Sequence, residues 1–307
     1  MILLILGLAA SAQEQASRNG FVFSFENDMF NRMDWYFSNG INIALYHEVL
    51  GKSPLNRILL PLRIRETDRV YYGLRLRQEI YTPRDISQDE IQPGDHPYAA
   101  TLSLSSEKIV MRPASHMRFT SGLQLGVLGP AALGFHAQKL IHNITPSDPP
   151  QGWDNQVGND LMLNYNVTVD KGVVEDEYSQ FILHGRARLG TVYTDATAGF
   201  LVRMEYQPKY FSFIDPDPAR RFNIYVEFGG NLRFVGYDAS LQGGMFNRTS
   251  PYTIPSESVS RIVAEGRINI VLELPKHQLV FYENVVSPRF DASEWHAWLG
   301  ISYRYWW

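Results

Sequence analysis

The sequence predicts an all-β protein, a transmembrane antiparallel β-barrel of about twelve strands with a short helix in an extracellular loop. Three observations lead to that fold class. Segments in which alternate residues are apolar recur from residue 21 to the end of the chain, the period of a strand with two different faces. The last segment, 295–307, is crowded with aromatic residues and matches the interfacial girdle of a membrane strand. Beyond the N-terminus there is no apolar run of about 20 residues, the length a membrane helix requires. A mean hydropathy of -0.21 is compatible with insertion, because alternating apolar and polar positions cancel in the average.

The elements follow in order. Residues 1–8 are apolar and Ala10-Ser11-Ala12 offers the small residues a signal peptidase reads, so residues 1–12 are expected to be a signal peptide and 13–307 a single barrel. In the first strand Phe21, Phe23 and Phe25 alternate with Val22, Ser24 and Glu26. In the second, Ile41, Ile43 and Leu45 alternate with Asn42, Ala44 and Tyr46. The third sets Tyr72, Leu74, Leu76 and Ile80 against Gly73, Arg75, Arg77 and Glu79, a charged face that belongs in a polar lumen. Further strands are predicted over 99–109, 117–127, 161–169, 178–189, 199–207, 222–234, 260–274, 279–286 and 295–307. The last directs Trp295, Ala297, Leu299, Ile301, Tyr303, Tyr305 and Trp307 to lipid, and His296, Gly300, Ser302 and Arg304 to the lumen.

One stretch breaks the alternation. Residues 130–142 read as a short helix, begun by Pro130, ended by Asn143 and Pro146, and carrying Leu133, Ala137, Leu140 and Ile141 at helical spacing. It sits in a loop, 128–158, too long for a hairpin turn, and long ordered loops of such barrels are usually functional and extracellular. With a periplasmic N-terminus, counting strands brings Asn27-Asp28, Ser38, the 82–85 turn and His142 to one outer rim. Two long turns, 51–68 and 211–220, fit the periplasmic side less well.

Composition removes several function classes. There is no cysteine, hence no disulfide, thiolate metal site or cysteine nucleophile. A net charge of -4 and dispersed charges argue against a nucleic-acid partner. No phosphate-binding glycine loop, zinc-binding His-Glu-x-x-His or Gly-x-Ser-x-Gly elbow occurs.

The residues that could do chemistry cluster on the predicted rim. Glu26-Asn27-Asp28 offers adjacent oxygen donors suited to calcium or magnesium, although Asn-Asp pairs also form ordinary turns. Ser38 opens the next strand and could lie beside Asp28, and Asn39-Gly40 could equally be a turn. His142 ends the loop helix, where an imidazole can accept a proton from water; a lone histidine is as readily a packing residue. His136 ranks below it as a base. Gly152 to Gln156 and Asp95-His96-Pro97-Tyr98-Ala99 read as a polar cluster around a tryptophan and as a rim brace, and each could be an ordinary loop.

Taken in order, Glu26-Asn27-Asp28, Asp34 through Gly40, Asp95 through Ala99, Leu125 through Pro130 continuing to Gln138 and His142, and Gly152 through Gln156 resemble the lipid A 3'-O-deacylases of Gram-negative outer membranes. The resemblance implies a twelve-stranded barrel and calcium-dependent removal of the ester-linked acyl chain from the 3' position of lipid A. It assigns the general base to His142, the metal side to Asn27 and Asp28, and a hydroxyl role to Ser38, with Gln138 nearby. Ser38 stands where Thr is usual, Phe37 where Tyr is usual, and His96 and Ala100 where Arg and Gly are common, which leaves substrate preference open. Arg32, Arg84 and Lys139 are candidates for the lipid A phosphates, or simply solvated loop charges. The expected partners are lipid A and the surrounding lipid, with no nucleic acid, and the barrel is expected to be a monomer in the outer membrane.

The leading expectation is calcium-assisted attack by a water that His142 deprotonates, on the outside wall beneath the loop helix. A second reading makes Ser38 the nucleophile of a serine-esterase-type lipase or phospholipase, activated by His142. A third treats the motifs as rim architecture of a non-catalytic porin or binding barrel.

Overall fold

The computed structural model describes residues 19–29, 35–143, 149–212, 214, 217 and 219–307; the expected signal peptide lies outside them, as do Arg32 and Asp34. Twelve strands form one closed antiparallel barrel: β1 (Gly20–Asn27), β2 (Tyr36–Tyr46), β3 (Arg69–Thr82), β4 (Ala99–Arg112), β5 (Met117–Leu128), β6 (Asp160–Glu175), β7 (Ser179–Gly190), β8 (Tyr193–Met204), β9 (Asn223–Asp238), β10 (Ile262–Glu273), β11 (His277–Val286) and β12 (His296–Trp306). Each strand pairs with its sequence neighbours. The first and last close the cylinder in register from Gly20 opposite Trp306 to Asn27 opposite Leu299, so no edge is left open. Among the described residues no helix is long and apolar enough to cross a membrane, and the strands do the crossing.

Alternation sorts the two faces as the sequence predicts. Leu45, Leu74, Leu76, Leu104, Leu125, Leu163, Leu183, Phe228, Ile270, Phe281 and Ile301 project outward and exposed, an apolar band with no soluble counterpart. Tyr178, Tyr206, Phe222 and Trp307 are exposed at the end where β1 begins and β12 ends, where an aromatic belt belongs. That end is called the terminal rim, and the opposite one, which carries the 28–35, 83–98, 129–159, 239–261 and 287–295 connections, the site rim.

The lumen is crossed by charged side chains that tie neighbouring strands together. Arg75 bonds Glu107 on β4 at 2.6 Å, Asn42 on β2 at 2.7 Å and the Tyr46 hydroxyl at 2.8 Å. Asp170 on β6 accepts from Arg118 on β5 and contacts His184 on β7, both at 2.7 Å. Arg203 on β8 reaches Glu227 on β9 at 2.7 Å, and Glu227 in turn accepts from Asn269 on β10 at 2.8 Å. In a low-dielectric cylinder such charges are tolerated because each is paired and hydrogen-bonded.

Two segments refine the sequence reading. Strand β8 begins six residues before the expected 199, because the outward positions Thr194, Ala196 and Ala198 are small and carry no apolar signal. The long turns are accommodated in different ways. The connection from β8 to β9 folds inward and inserts Tyr210 between Arg118 and Arg203, whose guanidinium carbons lie 4.4 and 4.9 Å from its ring centre. The connection from β2 to β3 forms two 3-10 turns, Glu48–Lys52 and Pro54–Arg57.

Arg203→Ala leaves Glu227 buried without its ion-pair partner, while Glu205 keeps Arg220. Its expected effect is a loss of about 3 kcal/mol in urea unfolding of the reconstituted barrel, whereas Arg203→Lys retains most of the stability.

Candidate active site on the outer wall

The loop between β5 and β6 turns back onto the outside of the barrel. Gly129 and Leu133, both with positive φ (90° and 61°), bend the chain on either side of the 3-10 turn Pro130–Ala132, and helix α1 (Gly134–His142) follows. Ala132, Phe135, Ala137 and Trp153 pack on Ile80, Ile86, Tyr98, Ala100, Leu102 and Val127. Ile80, Ala100, Leu102 and Val127 occupy outward positions of β3, β4 and β5, so α1 lies on the lipid side of the wall. Gln78, also outward, donates to the Ala132 carbonyl at 2.6 Å. Gly134 permits the close approach: a Cβ there would lie 2.5 Å from Ala100 Cβ and 2.6 Å from the Trp153 ring.

The helix forms where the sequence places it, but it starts later and rests on a different face. The expected apolar stripe is split, with Leu133 and Leu140 exposed and Gly134 and Gln138 buried. In a wall-mounted helix the solvent-like side is lipid, so exposed leucines are at home there.

Gln138 is 1% exposed, and its amide joins three elements. Its Oε1 accepts from Trp153 Nε1 at 2.8 Å, and its Nε2 donates to Ser38 Oγ at 3.5 Å, across from the helix to β2. Ser38 is itself the extra residue of a β-bulge: Phe37 pairs with Tyr81 and Asn39 with Ile80, so one residue of β2 has no opposite number. The bulge breaks the alternation at Ser38, whose hydroxyl meets Gln138 on the outer wall while Phe37 packs inward against Tyr81. Asn39 keeps the outward parity of Ile41, Ile43 and Leu45, beside Asn27, its partner on β1. Asn39-Gly40 therefore lies within a strand and forms no turn.

Each candidate has a definite environment. Asn27 ends β1, buried, with Oδ1 accepting from Met29 N at 2.8 Å. Asp28 is fully buried, accepts from Trp35 N at 2.8 Å, and lies 3.9 Å from His296 Nε2. His142 is half-buried in the last turn of α1, four residues after Gln138 and hence on the same helical face, roughly one turn or 6 Å along. His136 is exposed against Phe135. Lys139 is exposed, its Nζ 5.6 Å from the Phe135 ring centre. Arg84 stands on the site rim, bonded to the Tyr36 hydroxyl and to Glu294, each at 3.1 Å. Glu26 is on the opposite face of β1 from Asn27 and turns into the lumen toward Arg77, 3.5 Å away. Sequence reasoning passed over Asn39, because Asn39-Gly40 also fits a turn, and His296, which read only as a polar lumenal position.

The chain matches, over residues 1–307, the profile of a family described as outer membrane protein LpxR. This protein belongs to the LpxR family. Among solved structures, LpxR from Salmonella typhimurium superimposes with a TM-score of 0.75 at 16% identity, covering 94% of this chain and all of that one, a likeness of fold. The β domain of the Bordetella autotransporter BrkA and the COG4313 outer-membrane channel from Pseudomonas putida F1 give TM-scores of 0.45 at 11% and 10% identity. These cover 94% of this chain and 98% and 94% of theirs. No curated protein sequence matches significantly. Membership in the LpxR family and the closed barrel together make this an outer-membrane protein.

The oxygen donors gathered at this candidate site are of the kind a calcium ion takes. Among the described residues no group of three or more acidic or histidine side chains gathers, so the charge would come from Asp28 and the remaining ligands from neutral oxygens. Asn39 Oδ1 supplies one: it is buried with no hydrogen-bond partner among the described residues, while its Nδ2 is held by the Glu26 carbonyl at 3.1 Å. Amide and carbonyl oxygens beside a single carboxylate suit calcium, which takes many oxygen ligands in flexible geometry.

The rim beside the site is braced from the lumen side. His96 stacks on Tyr81 with ring centres 5.3 Å apart, contacts the Pro97 carbonyl at 2.7 Å through Nδ1, and is buried. Burial first, and the nearby Arg289 cation second, push its imidazole down from 6.5 to about 3.

Two outcomes follow for this LpxR-family barrel. Gly134→Val must lift α1 from Ala100 and Trp153, so trypsin should cut after Lys139 at least about tenfold faster while the barrel stays heat-modifiable in gels. His96 binds its proton only near pH 3 when folded but near 6.5 when unfolded, so unfolding takes up a proton in that window. Stability should therefore fall as the pH drops from 6.5 toward 3, and His96→Phe should flatten that slope in denaturation measured across the range.

Proposed function

We propose that this protein hydrolyses the 3' ester-linked acyl chain of lipid A, acting as a monomer with its site rim in the outer leaflet of the outer membrane. Membership in the LpxR family supports a lipid A-modifying hydrolase. The observation that carries the finer reading is the buried Gln138 amide, clamped between Trp153 and Ser38 on the lipid side of the wall. A polar site built there, and not in the lumen, meets a lipid that arrives sideways from the leaflet. The exposed Leu133 and Leu140 of α1 fit such a boundary position, and Lys139 and Arg84 are suitably cationic for the lipid A phosphates.

On this reading His142 takes the proton from a water as its oxygen attacks the acyl carbon, and returns it to the sugar oxygen as the ester bond breaks. The products are a free fatty acid and a 3'-hydroxyl. Ser38, held by Gln138, orients the water or the ester, and Asn27, Asp28 and Asn39 hold the metal. Calcium, when bound there, supplies charge that polarises the ester carbonyl and stabilises the oxyanion.

The two rival readings have less behind them. A serine esterase needs a base on Ser38 Oγ; the Gln138 amide donates to that oxygen, which suits a positioned acceptor. A porin needs a passage from end to end, and here Tyr210 and the ion-pair braces project into the lumen and line its cavity.

The test is mass spectrometry of lipid A from cells expressing the wild type and variants, with and without a calcium chelator. Wild type should remove the 3' acyl group; His142→Ala should lower the rate by about 100-fold or more, Asp28→Ala should mimic the chelator, and Ser38→Ala should cost about tenfold. Full activity in His142→Ala overturns the reading. An acyl group trapped on Ser38 would replace it with the serine esterase, and unchanged lipid A with the non-catalytic barrel.

A further inference from the structure

The connection from β2 to β3 leads away from the chemistry, to the other end of the cylinder. Instead of extending below the barrel, it lies against the outside of the wall. Gly51 sits on the Tyr72 ring of β3, where a Cβ would be 2.9 Å from Cε2. The Leu60 carbonyl accepts from Lys108 Nζ on β4 at 3.4 Å, the Ile58 carbonyl from the Tyr165 hydroxyl on β6 at 3.0 Å, and the Arg63 carbonyl from Arg112 at 2.9 Å. Asp68 is held by Arg112 at 3.3 Å. The outward face of β4 changes at the same level, from Leu102 and Leu104 to Lys108 and Arg112.

Irregular backbone of this kind is not stable against hydrocarbon, so the segment marks the level of lipid headgroups. Its distance from the other wall-mounted element agrees. From Ile80 beneath α1 to Tyr72 beneath this clasp, eight residues of tilted strand rise roughly 20 Å, close to the about 25 Å apolar band of such barrels. The exposed surface mixes two kinds of side chain. Val49, Ile58 and Ile64 stand out apolar and more than 40% exposed. Lys52, Arg57, Arg63 and Arg65 are exposed beside them, and none makes an ion pair among the described residues. Glu48 and Glu66 are the exposed acids of the segment, since Asp68 is buried against Arg112.

We propose that residues 47–68 form an interfacial clasp that binds anionic phospholipid headgroups in the leaflet at the terminal rim. The three aliphatic side chains enter the acyl boundary and the four cations contact headgroup phosphates, the arrangement of an amphipathic surface element joined to a basic patch. A lipid anion is favoured over a soluble one because the cations are interleaved with exposed aliphatics and lie against the lipid-facing wall. The inference is independent of the hydrolase reading, since its residues and its readout lie at the opposite rim.

The experiment places the full barrel in nanodiscs of phosphatidylglycerol or of phosphatidylcholine and digests it with trypsin. Cleavage after Lys52, Arg57, Arg63 and Arg65 should be about tenfold slower in phosphatidylglycerol, and native mass spectrometry should find that lipid retained preferentially. In the variant Lys52→Gln/Arg57→Gln/Arg63→Gln/Arg65→Gln the retention preference should disappear. In Arg248→Gln/Lys276→Gln, which removes exposed cations elsewhere on the two rims, it should persist. Equal cleavage of wild type in the two lipids, a preference that survives the fourfold variant, or one lost equally in the control overturns the proposal. The wild-type digestion stands on its own if the fourfold variant fails to fold.

Discussion

Closure of β1 on β12 is the constraint from which the rest of this structure follows. A bilayer offers no water to an unpaired amide, so the sheet must consume its own edges, and once it does every residue is committed to one of two faces. The apolar band, the charged interior and the placement of every connection at one rim or the other are consequences of that ring. Even the chemistry is subject to it. A site on the lipid side is covered by extra chain laid over the wall, because the few polar residues the wall shows there, Gln78, Asn27 and Asn39 among them, need partners away from lipid.

The bulge at Ser38 is where the ring is bent to that use. A single unpaired residue interrupts the alternation near the start of β2 and leaves the serine under α1, next to Asn39, which faces out beside Asn27. Gln138 then makes contact from above. The polar atoms so gathered lie against lipid only because Trp153, Ala132 and Phe135 cover them. A buried amide without those partners would destabilise the loop by several kcal/mol, about what a missing hydrogen-bond partner costs in an apolar setting.

Much of this was legible in the residues. Arg75, Arg77 and Glu79 opposite Leu74, Leu76 and Ile80 can only be a strand between lipid and a polar interior, and the same holds for the closing strand. The common rim of Asn27, Ser38 and the helix follows from counting. What escaped has physical reasons. The start of β8 is made of threonine and alanine on its outward side, and small residues do not announce a face. A one-residue insertion has no composition of its own, so the bulge at Ser38 left no trace, and Asn39-Gly40 fitted a turn as well as a strand. The helix was located by the helical spacing of Leu133, Ala137, Leu140 and Ile141, a spacing that does not by itself say which side is buried. Where the medium is lipid, the polar Gln138 is the residue to hide.

The lumenal braces have a mechanical meaning. Arg75 holds β2, β3 and β4 at once, Asp170 holds β5, β6 and β7, and Arg203 with Glu227 and Asn269 spans β8, β9 and β10. They act as hoops around staves, resisting any change of girth. A cylinder hooped in this way cannot dilate, so a bulky amphiphile in the leaflet meets a wall of fixed girth.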